Sequence, residues 1–419
     1  MVLWAFQESE ISMPPDRKTI EQYVCPDCFN DEALKRVANA RAVRNECGFC
    51  DSRSNVPIAA PLDVLVAAIR AGLQSCYTTD TQQVEFDDEG HPLVGQPYTT
   101  ESLLGDVDWM NPRELPPIRN AKVLQEVVRA ISETDWYTLT LTPELRFGRL
   151  MLSWADFCWR IRKKSRFFFG PMRGDAALLE PEQFPTLAIL DEFADLVRSA
   201  ALVRTIPVGT TYFRARQHPS QKKIDSADEI GPPPSGNTRS NRMSPAGIVM
   251  FYGAVEKETA WSETYDSDGE EMLTVAAFRT LHPFKIIDLT HLPTIPSIYD
   301  PDRRQIRTGI QFLHGFAEQV AAPVVRDRRE HVAYVPTQVV TEYFRHVFRD
   351  QSGEEIRGVL YPSSRQRGGT CCALFFEADQ CGGKPAFNLL GERCSWLRLE
   401  DRSIERHRIA DVLSLVWKP

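Results

Sequence analysis

No stretch of this 419-residue chain approaches the roughly 18 consecutive apolar residues that a membrane-crossing helix requires, so a transmembrane protein is not expected. The start, Met1-Val-Leu-Trp-Ala-Phe6, carries no basic leader and runs straight into Gln-Glu-Ser-Glu, which gives no secretory signal and makes the cytoplasm the expected location. Basic charge is in deficit: 49 Lys and Arg stand against 57 Asp and Glu, for a net charge of -8. That balance disfavours a surface that wraps nucleic acid, while a local basic face stays open. The Walker phosphate loop, the dinucleotide GxGxxG turn and the HExxH zinc-protease helix are all missing. P-loop ATPases, Rossmann dehydrogenases and that protease class therefore lose their usual support. Internal repeats and long low-complexity tracts are lacking too.

What is present is ordinary in bulk and specific in places. Hydrophobic residues at 42% and charged residues at 25% provide a sizeable core, and the length suits two to three domains. Four of the 10 cysteines form two pairs, Cys25-Pro-Asp-Cys28 and Cys47-Gly-Phe-Cys50, separated by a stretch within the zinc-ribbon range. Each CxxC turn aims two thiolates at one point, and two turns complete a tetrahedral shell for Zn2+. Four thiolates leave no open position for substrate, so the expected zinc is structural. Unbound buried cysteines or a redox pair are the other readings of these residues. Cys371 and Cys372 are adjacent, an awkward arrangement for an oxidised scaffold, which again favours a reducing compartment.

Three segments follow from pattern: a zinc-ribbon segment over 1–58, a helical domain over 59–204 and a mixed domain over 205–419. A short helix is expected near Asp31–Ala38. Helical spacing recurs at Leu62, Leu65, Val66, Ile69 and Leu73, at Val123, Val127 and Ile131, and in residues 149–159 and 187–197. Residues 77–118 read as a long acidic, proline-containing loop. Beyond Pro207 short β-rich runs begin at Thr211, Ile248, Leu273, Phe284, Gly358 and Ala373, with a helix over 335–348 whose apolar face is Val339, Val340, Tyr343, Phe344 and Val347. The Pro- and Gly-rich segment 230–237 is an irregular loop ending just before Arg242.

Within that mixed domain several residues suit chemistry on an anionic nucleotide. Arg214 and Arg216, in Tyr212-Phe-Arg-Ala-Arg216, share one side of a strand by the period of two. Their planar forks match a pyrophosphate, and a salt-bridged edge strand explains them equally well. Arg242 lies at the end of the loop, and Tyr252 ends the run Phe251-Tyr252, where core packing is the plainer reading. Glu263 closes Thr259-Ala-Trp-Ser-Glu263 on a short helix and can stabilise positive charge at a sugar carbon. Glu256 and Glu258 compete for that role, and a solvated helix glutamate is the alternative for all three. Ser363 and Ser364 follow Pro362 at a strand end, where ordinary turn chemistry also places serines.

Taken in order, Phe213-Arg214, Asn241-Arg242, Phe251-Tyr252, Ala260-Trp-Ser-Glu263 and Pro362-Ser363 resemble the RES domain, a family of NAD-degrading toxins related to ADP-ribosyltransferases. The resemblance covers roughly 205–390. It implies an α+β chain: a zinc ribbon and mostly helical domain, then an ADP-ribosyltransferase-like mixed α/β RES domain. On that mapping Arg214, Glu263 and Ser363 are the catalytic set, with Ser364 the alternative serine, and Arg242, Tyr252 and Arg216 contact substrate. Where many members read Gly-Arg-Trp-Asn this chain has Asn241-Arg-Met-Ser244, so that aromatic contact is absent.

The amino-terminal half resembles the HEPN-like helical module that precedes RES domains. A nuclease is not supported, because His91 is the sole histidine before the RES region and has no arginine at HEPN spacing before it. The resemblance implies NAD+ as substrate, cleaved at its nicotinamide–ribosyl bond with inorganic phosphate or water as acceptor. Transfer of ADP-ribose to a protein is the enzymatic alternative. An antitoxin or immunity protein stays open as a partner. The competing non-enzymatic reading is a zinc-ribbon nucleic-acid binder that uses Arg160-Ile-Arg-Lys-Lys-Ser-Arg166 and the phenylalanines after it.

Overall fold

A computed structural model describes residues 22–84, 92, 97–105, 115–132, 134–139, 147–167, 186–322, 330–382 and 395–411. The chain divides into two compact units, Met1–Thr140 with Ser297–Arg304, and Leu141–Pro296 with Gln305–Pro419. The boundary expected at 204/205 thus falls inside the second unit.

The first unit opens with β1 (Tyr23–Val24) and α1 (Glu32–Ala40). Asp31 starts α1 by accepting from the N–H groups of Ala33 and Leu34, both at 2.9 Å. Next come β2 (Ala60–Pro61), which pairs with β1, and α2 (Leu62–Leu73). The apolar spacing of α2 does what it predicts: Leu62, Leu65, Ile69 and Leu73 are fully buried. Beyond α2 lie β3 (Tyr77–Thr78), β4 (Tyr98–Thr99), α3 (Thr100–Gly105), α4 (Ala121–Ile131) and β5 (Asp135–Thr138). The long loop expected over 77–118 is therefore partly ordered, because β5 pairs with β3 on one side and β4 on the other. Buried Trp136 secures the arrangement by donating its indole N–H to Thr100 Oγ1 at 2.9 Å. Two-residue strands are too short to show a period. His91, and with it most of the acidic stretch 85–91, lies outside the described residues.

Ser297–Arg304 completes this unit. Tyr299 is buried in its core, against Gly72, where an added Cβ would collide with the Tyr299 ring. Asp300 accepts from Arg36 at 2.6 Å.

The second unit carries α5 (Gly148–Lys163), α6 (Thr186–Ser199), β6 (Val203–Ile206), β7 (Thr211–His218), α7 (Ala227–Ile230), β8 (Phe251–Ala254) and α8 (Lys257–Thr264). It continues through β9 (Met272–Thr280), β10 (Phe284–Asp288), α9 (Arg307–Ala321), α10 (Glu330–Ala333) and α11 (Val335–His346). It ends with β11 (Ile356–Pro362), β12 (Thr370–Leu374), β13 (Leu397–Leu399) and β14 (Glu405–Arg408). The strands form one mixed sheet in the order β13-β9-β7-β8-β12-β11-β10-β6, with β14 also on β9. Only β10 and β11 run parallel among the pairs described. Buried residues of α5, α6, α9 and α11 share one core with Val359 and Ala373 of the sheet. Phe193 sits at its centre, edge-on to Trp154, Phe312, Phe316 and Phe344. Of the apolar face expected on α11, Val340 and Phe344 are buried, whereas Val347 is 58% exposed. Among the described residues no helix is long and apolar enough to cross a membrane.

Candidate active site and metal centre

The four paired cysteines converge: their Sγ atoms all lie within 4.8 Å of one another. Cys25 is 3.3 Å from Cys50 and 4.0 Å from Cys28, and Cys28 is 3.8 Å from Cys47. Thiolates at about 2.3 Å from a tetrahedral ion are about 3.8 Å apart, so the residues present fit such an ion. Main-chain N–H groups of Cys25 and Phe49 approach Cys47 Sγ at 3.4 and 3.5 Å, which stabilises negative charge on sulfur. Without an ion, burial first and then the neighbouring thiols push Cys25 up to about 12.

α8 decides among the three glutamates. Glu256 occupies the N-cap position, and its Oε2 accepts from Thr259 Oγ1 at 2.8 Å and the Thr370 N–H at 2.9 Å, fastening α8 to β12. Glu258 points to solvent. Glu263, in the last turn, meets the β11–β12 loop. Its Oε1 accepts from Ser363 Oγ at 2.6 Å, the Ser364 N–H at 2.9 Å and Ser364 Oγ at 3.3 Å. Its Oε2 receives only a 3.5 Å approach from Ser364 Oγ among the described residues. Oε1 thus carries most of the bonding, and the Cys371 thiol is a further neighbour of the carboxylate.

The loop is built to deliver that hydroxyl. Ser363 Oγ accepts from the N–H groups of Gln366 at 2.9 Å and Arg365 at 3.2 Å, which leaves its own proton to Glu263. The Ser363 N–H closes the loop on Gly369 O at 2.9 Å. Gly369 must be glycine, since a Cβ there would collide with Thr259. Arg365 donates to the carbonyls of Ser262 and Tyr265 at the carboxyl end of α8, where positive charge complements the helix dipole.

Strand register sorts the remaining candidates by face. β12 lies between β8 and β11, and Cys371 pairs with Ala254 on one side and Tyr361 on the other; Ala373 pairs with Tyr252. Tyr252, Ala254, Cys371 and Tyr361 therefore share a face, as does Phe213, the partner of Ala254. α8 lies against this face, with Trp261 packed beside Phe213 and Ala215. Burial raises the Tyr361 hydroxyl pKa, Cys371, Tyr252 and the negative charge of Glu263 add to the effect, and Arg242 opposes it. Tyr361 thus feels the charges of Glu263 and Arg242, and sequence reasoning passed over it as a strand residue.

Arg214 and Arg216 project from the opposite face of β7. Arg214 donates through Nε to Ile230 O at 2.8 Å and through Nη1 to the Tyr252 carbonyl; Arg216 donates to Gly231 O at 3.0 Å. The convergence of Arg214 with Glu263 on one pocket, expected from sequence, is not the arrangement found: the sheet lies between the roots of the two side chains. Burial first, then the like charge of Arg216, lowers the Arg214 pKa to about 10, so the guanidinium stays charged at neutral pH. Tyr252 Oη and Ser244 Oγ are 2.9 Å apart. Arg242 donates to Ala322 O at 3.0 Å and lies 5.3 Å from the Tyr334 ring. Gln338 of α11 fixes the loop bearing it through the carbonyls of Asn241 and Ser244, at 2.7 and 3.1 Å.

Two members of the basic run at the end of α5 have partners close by in sequence: Arg160 pairs with Asp156 at 2.6 Å and Lys164 caps the Trp159 ring at 5.0 Å. Phe168 and Phe169 lie outside the described residues.

Residues 211–388 match the family model of the RES domain, and residues 40–173 match HEPN/RES N-terminal domain 1. No curated protein and no solved structure matches the chain. A RES domain points to toxin activity directed at NAD. With its helical module and cysteine cluster ahead of the mixed sheet, the chain carries a RES domain preceded by a HEPN/RES N-terminal domain.

Proposed function

We propose that the second unit binds NAD+ and cleaves its nicotinamide–ribosyl bond, releasing nicotinamide and passing ADP-ribose to inorganic phosphate or water. The half-satisfied carboxylate of Glu263 carries this reading. Its Oε1 is fixed by Ser363 and Ser364, while Oε2 can accept a ribose hydroxyl and face the positive charge that develops at the anomeric carbon. A carboxylate held by one oxygen needs little reorganisation when that charge appears.

Tyr252 and Tyr361 flank the buried small residues Ala254, Cys371 and Ala373 on one face of the sheet. Arg242, on the Glu263 side, supplies the guanidinium for the pyrophosphate. Arg214 is a positioning residue in this scheme: it ties the Tyr252 main chain to the 230–231 loop, and Arg216 steadies the same loop. The four cysteines hold a structural Zn2+, whose chemistry there is to crosslink two turns of the first unit. A cytoplasmic setting supplies both NAD+ and reduced thiols.

The test is nicotinamide release from NAD+ labelled in its ADP-ribose half, with and without phosphate. Label on small products, rising with phosphate, is the expected result. Label on protein would replace this reading with ADP-ribosyl transfer, and no release at all would sink it.

A further inference from the structure

A second cleft, of about 420 Å³, opens where α11 ends, β11 begins and β12 ends. It is lined by Arg345, Arg349 and Arg357 together with Glu355, Glu377 and Asp379. Glu263 binds the loop that joins the other ends of β11 and β12. Seven residues of strand span about 20 Å, so a ligand here would not touch the candidate active site.

The ion pairs in the cleft are slack. Arg345 is 3.5 Å from Glu377, Arg349 is 3.4 Å from Glu355, and Arg357 is 3.5 Å from Glu355. Elsewhere arginine–carboxylate pairs close tightly, as Arg36–Asp300 and Arg198–Asp195 do at 2.6 Å. Arg357 is also held 4.2 Å above the Trp396 ring, which fixes its plane without using its N–H groups. Three guanidinium groups with unspent donors around one void form a grip for a phosphate, which takes paired N–H donors from arginine forks. The three carboxylates narrow the ligand further. A bare anion would be repelled by them, whereas ribose hydroxyls or an exocyclic amine can donate to them. The volume lies in the range of small-molecule sites and far exceeds one phosphate.

We propose that this cleft binds a nucleoside monophosphate, with the phosphate on Arg345, Arg349 and Arg357 and hydroxyl or amino donors on the carboxylates. The site is separate from Glu263 and does not depend on the NAD reading.

AMP is the probe, titrated calorimetrically into the full chain, with inorganic phosphate as the comparison. Binding in the sub-millimolar range is expected, at least about tenfold tighter than phosphate. The double change Arg345→Gln and Arg349→Gln should weaken it about tenfold or more, since it removes two charge-assisted donors to the phosphate. Glu263→Gln should leave AMP affinity unchanged. If the double variant melts early, Arg345→Lys with Arg349→Lys, which keeps both charges, should retain intermediate affinity. No binding of AMP at several millimolar, phosphate bound as tightly as AMP, indifference to the arginine changes, or loss in Glu263→Gln would each overturn the proposal.

Discussion

The cysteine cluster and the Glu263 site are both made by turns that bring side chains to a point, yet they end in opposite states. Every sulfur of the first is turned inward on the other three. The carboxylate of the second spends one oxygen on two serines and keeps the other. Glu256, one helix length away, also bonds through one oxygen, and differs in that its partners, Thr259 and the Thr370 main chain, join one element to another. Groups whose bonding capacity is exhausted by their own fold hold it together. A group left half-satisfied beside a buried aromatic face is available for chemistry.

Five changes test that distinction. Metal loss should have the largest effect, since structural zinc sites contribute about 10–16 kcal/mol to folding in small domains. Cys28→Ser should abolish stoichiometric zinc and broaden or lower the melting transition of the first unit, read by metal analysis and circular dichroism. A variant that kept both metal and melt would place the cluster outside the fold's support. Glu263→Gln keeps shape and removes charge, so nicotinamide release should fall by about two or more powers of ten with little change in melting temperature. Equal turnover by variant and parent would remove Glu263 from the mechanism.

Ser363→Ala should slow turnover by about ten- to hundredfold, the worth of one hydrogen bond to a charged group. Ser364→Ala should cost less, because the 2.9 Å bond from the Ser364 main-chain N–H survives. The reverse ranking would exchange the two serines' roles. The smallest effect belongs to Tyr252→Phe, which keeps the ring and loses the hydroxyl's contacts with Ser244, at 2.9 Å, and the Met243 main chain, about 1 kcal/mol of stability by thermal melting. A collapse of turnover in that variant would mean that the hydroxyl itself acts on substrate.

How much of this was legible in the sequence follows from range. The CxxC turns and the helix faces at Leu62–Leu73 and Val335–His346 are local patterns, and their spacing was enough. Glu263 could not be separated from Glu256 and Glu258 by periodicity, since the partners that distinguish them lie about a hundred residues away in the β11–β12 loop. The alternation on β7 was read correctly, with Arg214 and Arg216 on one side. Which side faces α8 depends on pairing with β8 and β9, and nothing within β7 carries that information. The two-residue strands β3 and β4 gave no signal. Strands β6, β13 and β14 and the helix α9 were not singled out, because their burial depends on neighbours distant in sequence.

The excursion Ser297–Arg304 has a practical bearing on any attempt to express the RES half alone. A fragment starting near residue 141 would still carry Tyr299 and Ile298, side chains that pack against the core of the first unit. Stripped of that cover, they would leave a sticky apolar tag on the fragment. Mutating these two positions to polar residues, or shortening the excursion, is the sounder route to a well-behaved truncation.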